Sequence, residues 1–463
     1  MSLENQIRNW MQGKEDELVT ALAPLIAAES TLGEAKPGMP FGEGLAKVLE
    51  EALALAKAWG FRAENIDGYV GTADLSNCPD GLHVLAHLDV VGAGTGWDTP
   101  PYRLIRQGDL IFGRGVDDDK GPLVAVLLAM RCIRELGVPL SKNVKLIMGT
   151  DEETGSRDLA YYYASHPYAP YALSPDSVFP VTNVEKACYA PKFSKKWVAT
   201  ASSISINGGI RKNVAPSNCS AEGIPCDRET LTKAIQTVHE KTGVSFECIQ
   251  MDDSWKISAM GKAAHASTPN EGNNAITAML ELLSMLPLPE GSEKETIVSL
   301  HQLFPHGDHH GQALGIAMED DVAGKTTVTL SLLHLDNQGF EAQFDARLSL
   351  AATEENTKQV VYTQFSTLGW DCHGTFHPAH VVDGDSDFIR TLISCYETFS
   401  GNVGYCESMG GSTYVHNVPG GVAFGAGEHG FDSHLHGPNE RARISQLLKT
   451  SEIYAAAIAA LCR

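Results

Sequence analysis

Between Leu82 and Gly155, apolar runs alternate with short polar motifs, and this alternation constrains the fold more than any other stretch of the chain. The segments read L-H-V-L-A-H-L-D-V-V-G, then G-R-G-V-D-D-D-K-G-P, then L-I-M-G-T-D-E-E-T-G. The apolar residues around His83–His87 and Val144–Met148 read as strands, with a further short strand around Tyr69–Gly71. Between them, Gly121 to Leu136 is apolar nearly all round and rich in helix formers. That pattern predicts a buried helix, begun near Pro122 and ended by Gly137. Strand, helix and strand in this order predict a largely parallel sheet covered on both faces. Open α/β sheets place their sites beyond the carboxyl ends of the strands. His87, Asp89, the run Asp117–Asp119, Glu152 and Glu153 all fall at such positions.

A chain of 463 residues exceeds the size at which one hydrophobic core stops growing, so two domains are expected. The formal charge of −22 argues against non-specific nucleic-acid binding, which needs a basic face. Acidic residues interrupt the start, M-S-L-E-N-Q-I-R-N-W-M-Q-G-K-E-D-E, where a secretory signal needs an apolar stretch. No run approaches the ~20 apolar residues of a membrane span. The ten cysteines include no C-x-x-C pair, which predicts buried free thiols rather than a disulfide framework or thiolate metal site. A cytoplasmic protein is expected.

The N-terminal segment reads as two helices, one from Leu3 to Ala28 and one including Ala46 to Trp59. From about Ala187 the texture changes. Alternating segments such as A-T-A-S-S-I-S-I-N-G and T-V-T-L-S-L-L-H-L predict an antiparallel sheet. Helices are expected at Glu229–Thr242 and Asn274–Leu286, after Val382 in S-D-F-I-R-T-L-I-S-C-Y-E-T-F, and from Ser445 to Leu461. Polar motifs of one chemical kind lie both before and after the middle stretch, since P-D-S-V-F-P carries Asp176 and H-L-H-G-P-N-E carries His436. Residues 1–186 and 383–463 therefore read as one discontinuous domain, and 187–382 as an insertion.

The residue types suit a pair of divalent ions. His87 and Asp89 are two apart at a strand end and point to the same side. Alone, H-x-D is simply a strand-end histidine with a solvated aspartate. Asp117, Asp118 and Asp119 alone would be helix-capping acids. Between G-R-G and K-G, one of them becomes a good bridging carboxylate. Glu152 and Glu153 point different ways, so one can bind metal while the other takes a proton from the attacking water. His434 and His436 are both available near the C-terminal end, and one of the two is a loop histidine.

Taken together, G-R-G-V-D-D-D-K-G-P, G-T-D-E-E-T-G-S-R-D, P-D-S-V-F-P and H-G-P-N-E resemble the co-catalytic metal-dependent aminoacylase/carboxypeptidase-like metallopeptidases. The likeness spans essentially the whole chain and is strongest to the dipeptidase V-like branch, with carnosinase-type dipeptidases as cousins. It implies an α/β zinc-peptidase-like catalytic domain, its mixed and largely parallel sheet lying between helices, plus an inserted α+β lid domain. It implies His87 and Asp176 on one ion, Glu153 and His436 on the other, and Asp118 bridging both. Asp89 would tune the His87 side, and Glu152 would be the general base. In the lid, M-G-K-A-A-H-A-S-T-P implies His265 as oxyanion stabiliser, R-K-N-V-A-P implies Asn213, and F-D-A-R implies Arg347 on a substrate carboxylate. G-G-S-T-Y implies a further binding loop at Gly411 and Ser412.

The implied reaction is hydrolysis of dipeptides with a free amino terminus by a water held between the two ions. The ions would be zinc or manganese, with cobalt possible, because histidine with carboxylates suits several metals. A lid of about 200 residues, twice the size of a small dimerisation domain, implies a monomer that binds a small peptide and neither nucleic acid nor membrane. An N-acyl-amino-acid deacylase or desuccinylase using the same site is the alternative, and the large lid counts against it. A non-catalytic scaffold is disfavoured because every ligand is present. One departure stands out: where the family has G-E-K-G, this chain reads N-V-E-K-A, with Val184 and Ala187 replacing glycines.

Overall fold

The computed structural model describes residues 1–200 and 203–463 and contains two compact units. The first comprises Met1–Val184, His380–Ser408 and Ser412–Arg463. The second comprises Glu185–Ala379 with Met409–Gly411. The architecture is α/β: a first unit built on a mixed sheet, interrupted in sequence by an α+β second unit.

The sheet of the first unit runs in the order Arg62–Ile66, Val70–Asp74, Asn143–Gly149, Asp80–His87, Tyr171–Ser174, Val422–Ala423, Val181–Glu185 and His380–Val381. Its centre is parallel: Asp80–His87 runs parallel to Asn143–Gly149 and to Tyr171–Ser174, which in turn runs parallel to Val422–Ala423. The pairs Arg62–Ile66 with Val70–Asp74, and Val70–Asp74 with Asn143–Gly149, are antiparallel. Gly81 to His87 is buried throughout, as a strand covered on both faces must be. The helix Lys120–Glu135 is buried from Lys120 to Met130 and packs against the C-terminal helix Ile444–Leu461. Gly137, at φ +65°, turns the chain away after it.

The single helix expected over 3–28 is two, Leu3–Met11 and Glu15–Ile26. Gly13 adopts φ +75°, a left-handed conformation that stops the first helix.

The second unit folds around an antiparallel sheet whose central hairpin is Thr327–Asp336 with Gly339–Leu348. Of the predicted strand over 199–208, residues 201 and 202 lie outside the described residues, and the strand runs Ser205–Gly208. The helices Arg228–Thr242 and Ala275–Ser284 form as expected, capped by Asp227 and Asn274. Two more, Ser292–Leu303 and Gln359–Thr367, were not anticipated. Gln359–Thr367 buries only Val361 and Phe365, too few apolar positions to mark a helix by period. Phe193, Phe344, Phe365 and Trp370 form the aromatic part of this unit's own core. Among the described residues, no helix is long and apolar enough to cross a membrane.

Candidate metal centre

The parallel strands of the first unit end together, and their ends carry the acidic and imidazole groups. His87 is the last residue of its strand and lies in register with Gly149, after which the chain reaches Glu152 and Glu153. Asp176 follows the neighbouring strand Tyr171–Ser174 by two residues. Asp118 immediately precedes the N-cap of the buried helix. His436 comes from a loop ahead of Arg441–Arg443.

These five donors and Glu152 form two adjoining groups. His87, Glu152 and Asp176 make one, and Asp118, Glu153 and His436 the other, with the donor atoms of each within 4.8 Å of one another. Asp118 links them: its Oδ1 lies 2.8 Å from His87 Nε2 and its Oδ2 lies 2.9 Å from His436 Nε2. His436 Nε2 is also 3.1 Å from Glu153 Oε1, and His87 Nε2 is 3.8 Å from Asp176 Oδ2. His434 turns elsewhere, its Nδ1 to the Pro438 carbonyl and its Nε2 to Asp432.

The donors fit a pair of cations. His87 Nδ1 lies 2.9 Å from the Asp89 carbonyl, which can only accept, so Nδ1 carries hydrogen and Nε2 faces the carboxylates. Buried His87 Nε2 and Glu153 Oε1 have no hydrogen bond of acceptable geometry, although Asp118 lies 2.8 Å from the first. Burial pushes the Glu152 and Asp176 carboxyls well above the usual carboxylate range, and neighbouring carboxylates add to this. Burial opposes charge on His87, but Asp118 and Asp89 overcome it and raise its pKa. The cluster therefore favours positive charge at its centre, which a pair of cations would supply. Two imidazoles with carboxylate oxygens suit zinc, manganese or cobalt.

Asp89 sits behind the donors. Its carboxylate accepts the backbone N–H of Glu152 at 3.1 Å and of Glu153 at 2.9 Å, fixing the turn that presents both. Of three supporting carboxylates, Asp158 and Glu440 escaped the sequence reading, and Asp119 was read only as a capping or bridging acid. Asp119 accepts the backbone N–H of His87. Asp158 accepts from Tyr414 and from the N–H groups of Thr150 and Asp151. Glu440 accepts the N–H groups of Gly115, Asp117 and Asp118 at 3.0 to 3.3 Å and pairs with Arg114 at 2.6 Å. Arg114 also donates to the Gly437 carbonyl. The only hint in the sequence was position: each stands inside or just beyond a motif, in D-D-D, G-S-R-D and H-G-P-N-E. Gly149 has no room for a side chain, since a Cβ there would lie 1.9 Å from the Tyr414 hydroxyl. Val184 and Ala187, the two replaced glycines, are buried in strands.

In the second unit, Val214 pairs with His265 in a short antiparallel ladder, which places Asn213 beside that histidine. The Ala266 N–H donates to the Asn213 carbonyl. Arg347 donates two of its N–H groups to Asp345 and one to the Gly410 carbonyl. A Cβ on Gly410 would lie 2.6 Å from that of Ser267, whose hydroxyl lies 2.6 Å from His265 Nδ1. Asn213, His265, Arg347 and the segment ending at Gly411 thus come together within this unit. Ser412 belongs to the first unit and is exposed.

The profile of Peptidase family M20/M25/M40 matches residues 83–460. YtjP of Bacillus subtilis (strain 168) is 30% identical over 97% of this chain and 98% of its own. The Beta-Ala-Xaa dipeptidase of Lactobacillus delbrueckii subsp. lactis is 30% identical over 96% of both chains. In fold, the chain is similar to human carnosine dipeptidase 1, with a TM-score of 0.60 at 15% identity over 100% of this chain and 99% of that one. It is likewise similar to the di-peptidase Dug1p from Saccharomyces cerevisiae, with a TM-score of 0.59 at 13% identity over 99% and 98%. A profile match over most of the length and a relative at 30% identity place the chain without ambiguity: it belongs to peptidase family M20/M25/M40 and is a hydrolase acting on peptide bonds.

Proposed function

We propose that this hydrolase is a two-metal dipeptidase that cleaves dipeptides with a free amino terminus. The observation that carries the reading is Asp118, whose two carboxylate oxygens face His87 and His436 and so join two donor groups. The substrate class is supported by the Beta-Ala-Xaa dipeptidase, a full-length relative.

In this reading His87 and Asp176 hold one divalent ion, Glu153 and His436 hold the other, and Asp118 bridges. Bound there, the ions would acidify a water and polarise the scissile carbonyl. Glu152 takes one proton from the attacking water as the new carbon–oxygen bond forms. It returns that proton to the departing amine as the carbon–nitrogen bond breaks, so the base ends as it began. Asp89 keeps Glu152 and Glu153 aimed apart through their backbone N–H groups. His265 donates a hydrogen bond to the oxyanion. Arg347 meets the substrate carboxylate, and Asn213, Gly411 and Ser412 line the binding surface. The protein acts as a monomer.

The test is a substrate panel on chelated protein with zinc, manganese or cobalt added back singly. Ala–Ala-type dipeptides are expected to be cleaved and N-acetyl or N-succinyl amino acids to be spared. Cleavage of acylated amino acids alone would replace the dipeptidase reading with a deacylase.

A further inference from the structure

His265 is held by its neighbour two residues on. Two donors converge on its Nδ1: the Ser267 hydroxyl at 2.6 Å and the Ser267 backbone N–H at 3.3 Å. A backbone N–H can only donate. Nδ1 therefore acts as the acceptor in this pair, the hydroxyl hydrogen also points at it, and the ring proton of neutral His265 resides on Nε2.

The surroundings leave this arrangement little freedom. The backbone on both sides of His265 is tied, since Val214 pairs with His265 itself, Ala266 donates to the Asn213 carbonyl and Thr268 donates to the His265 carbonyl. Ser267 is in turn packed against Gly410, where even one added carbon would stand 2.6 Å from the serine Cβ. Gly410 is itself held through its carbonyl by Arg347, whose remaining contacts go to Asp345. Asp345 and Arg347 are nearly buried, so the chain of contacts starts from a fixed point in the unit's core.

We propose that Ser267 is a positioning residue that locks His265 as the Nε2–H tautomer, making it a hydrogen-bond donor at Nε2. The proposal rests on the assignment of His265 as oxyanion stabiliser, and it supplies what that role requires. A group that must donate to a developing negative charge is useful only if its outward nitrogen carries the proton before the substrate arrives. A neutral imidazole free to exchange its proton between nitrogens would spend part of its time presenting a lone pair to the carbonyl oxygen instead. The lock needs no charge, because a hydroxyl and a peptide N–H are enough to choose the nitrogen.

Two readouts separate this proposal from the reading it rests on. The first is nitrogen-15 NMR of the histidine rings in the full-length zinc-loaded protein, with His265 identified by the signal that vanishes in His265→Gln. At a pH where the ring is neutral, Nδ1 is expected as an unprotonated nitrogen and Nε2 as a protonated one. In Ser267→Ala the two signals should move toward each other as the tautomers mix. The second is steady-state hydrolysis of Ala–Ala by the same variant. Loss of one hydrogen bond should lower kcat by about five- to tenfold and leave KM within about twofold, as expected for a contact used in the transition state. A protonated Nδ1 in the unaltered protein, or a Ser267→Ala protein with unchanged ring signals and unchanged kcat, would overturn the lock. Full activity in His265→Gln with the wild-type tautomer intact would leave the lock standing and remove the oxyanion role.

Discussion

Asp118 is held in place by a residue more than three hundred positions away. Glu440 gathers three backbone N–H groups of the aspartate loop and neutralises Arg114, which reaches back to the loop of His436. Both members of the ion pair are essentially unexposed. Removing one leaves the other charged and buried, so Glu440→Ala should destabilise the protein by about 3–5 kcal/mol in urea unfolding. Glu152 calls for a different experiment. Glu152→Gln keeps the shape and loses the proton acceptor, and should lower kcat by about 10²–10⁴-fold while metal content by atomic spectroscopy stays at wild-type level. Retained activity would remove Glu152 as the base. At this scale the residues that come together in the two groups were legible, because strand ends and motif order mark them. Glu440, Asp158 and the supporting role of Asp119 were not, because a carboxylate that binds backbone N–H groups has no signature beyond being acidic.

The central strands are joined by side chains as well as by their ladder. At the start of Asp80–His87, Asp80 accepts from Asn143 and Lys145 on the adjoining strand and lies 3.2 Å from His83 Nε2. The His83 contact first, then Lys145 and Asn143, hold its carboxyl well below the usual range despite partial burial. A depressed folded pKa contributes stability that is present above the unfolded value of ~3.9 and is lost as the pH falls below it. Asp80→Asn should therefore unfold at a temperature less sensitive to pH between 5 and 3 than the wild type does. An unchanged slope would show that the pair contributes nothing. The buried helix and the strands around it were readable because apolar residues dominate them. Helix Gln359–Thr367 was not, and neither was the break at Gly13, where one left-handed residue outweighs a continuing helical composition.

Across the whole molecule, the sequence indicated two parts of different texture, and the structure divides into two units. Four carboxylates, those of Asp118, Glu152, Glu153 and Asp176, meet in the two donor groups. Divalent ions that bind only the folded state should raise the melting temperature in proportion to the logarithm of free metal, worth about 2.7 kcal/mol at a hundredfold excess over Kd. Calorimetry on chelated protein titrated with zinc checks this, and no shift at saturating metal would deny the site any share in stability. The strand Val422–Ala423 has a further consequence. It lies inside its sheet, between Tyr171–Ser174 and Val181–Glu185, yet it belongs to the last tenth of the chain. On the ribosome, residues 185–379 emerge as one uninterrupted stretch, whereas the sheet that carries the donors waits with a gap in its middle. His436 is made after that missing strand, so the proposed centre cannot be completed before both have been synthesised.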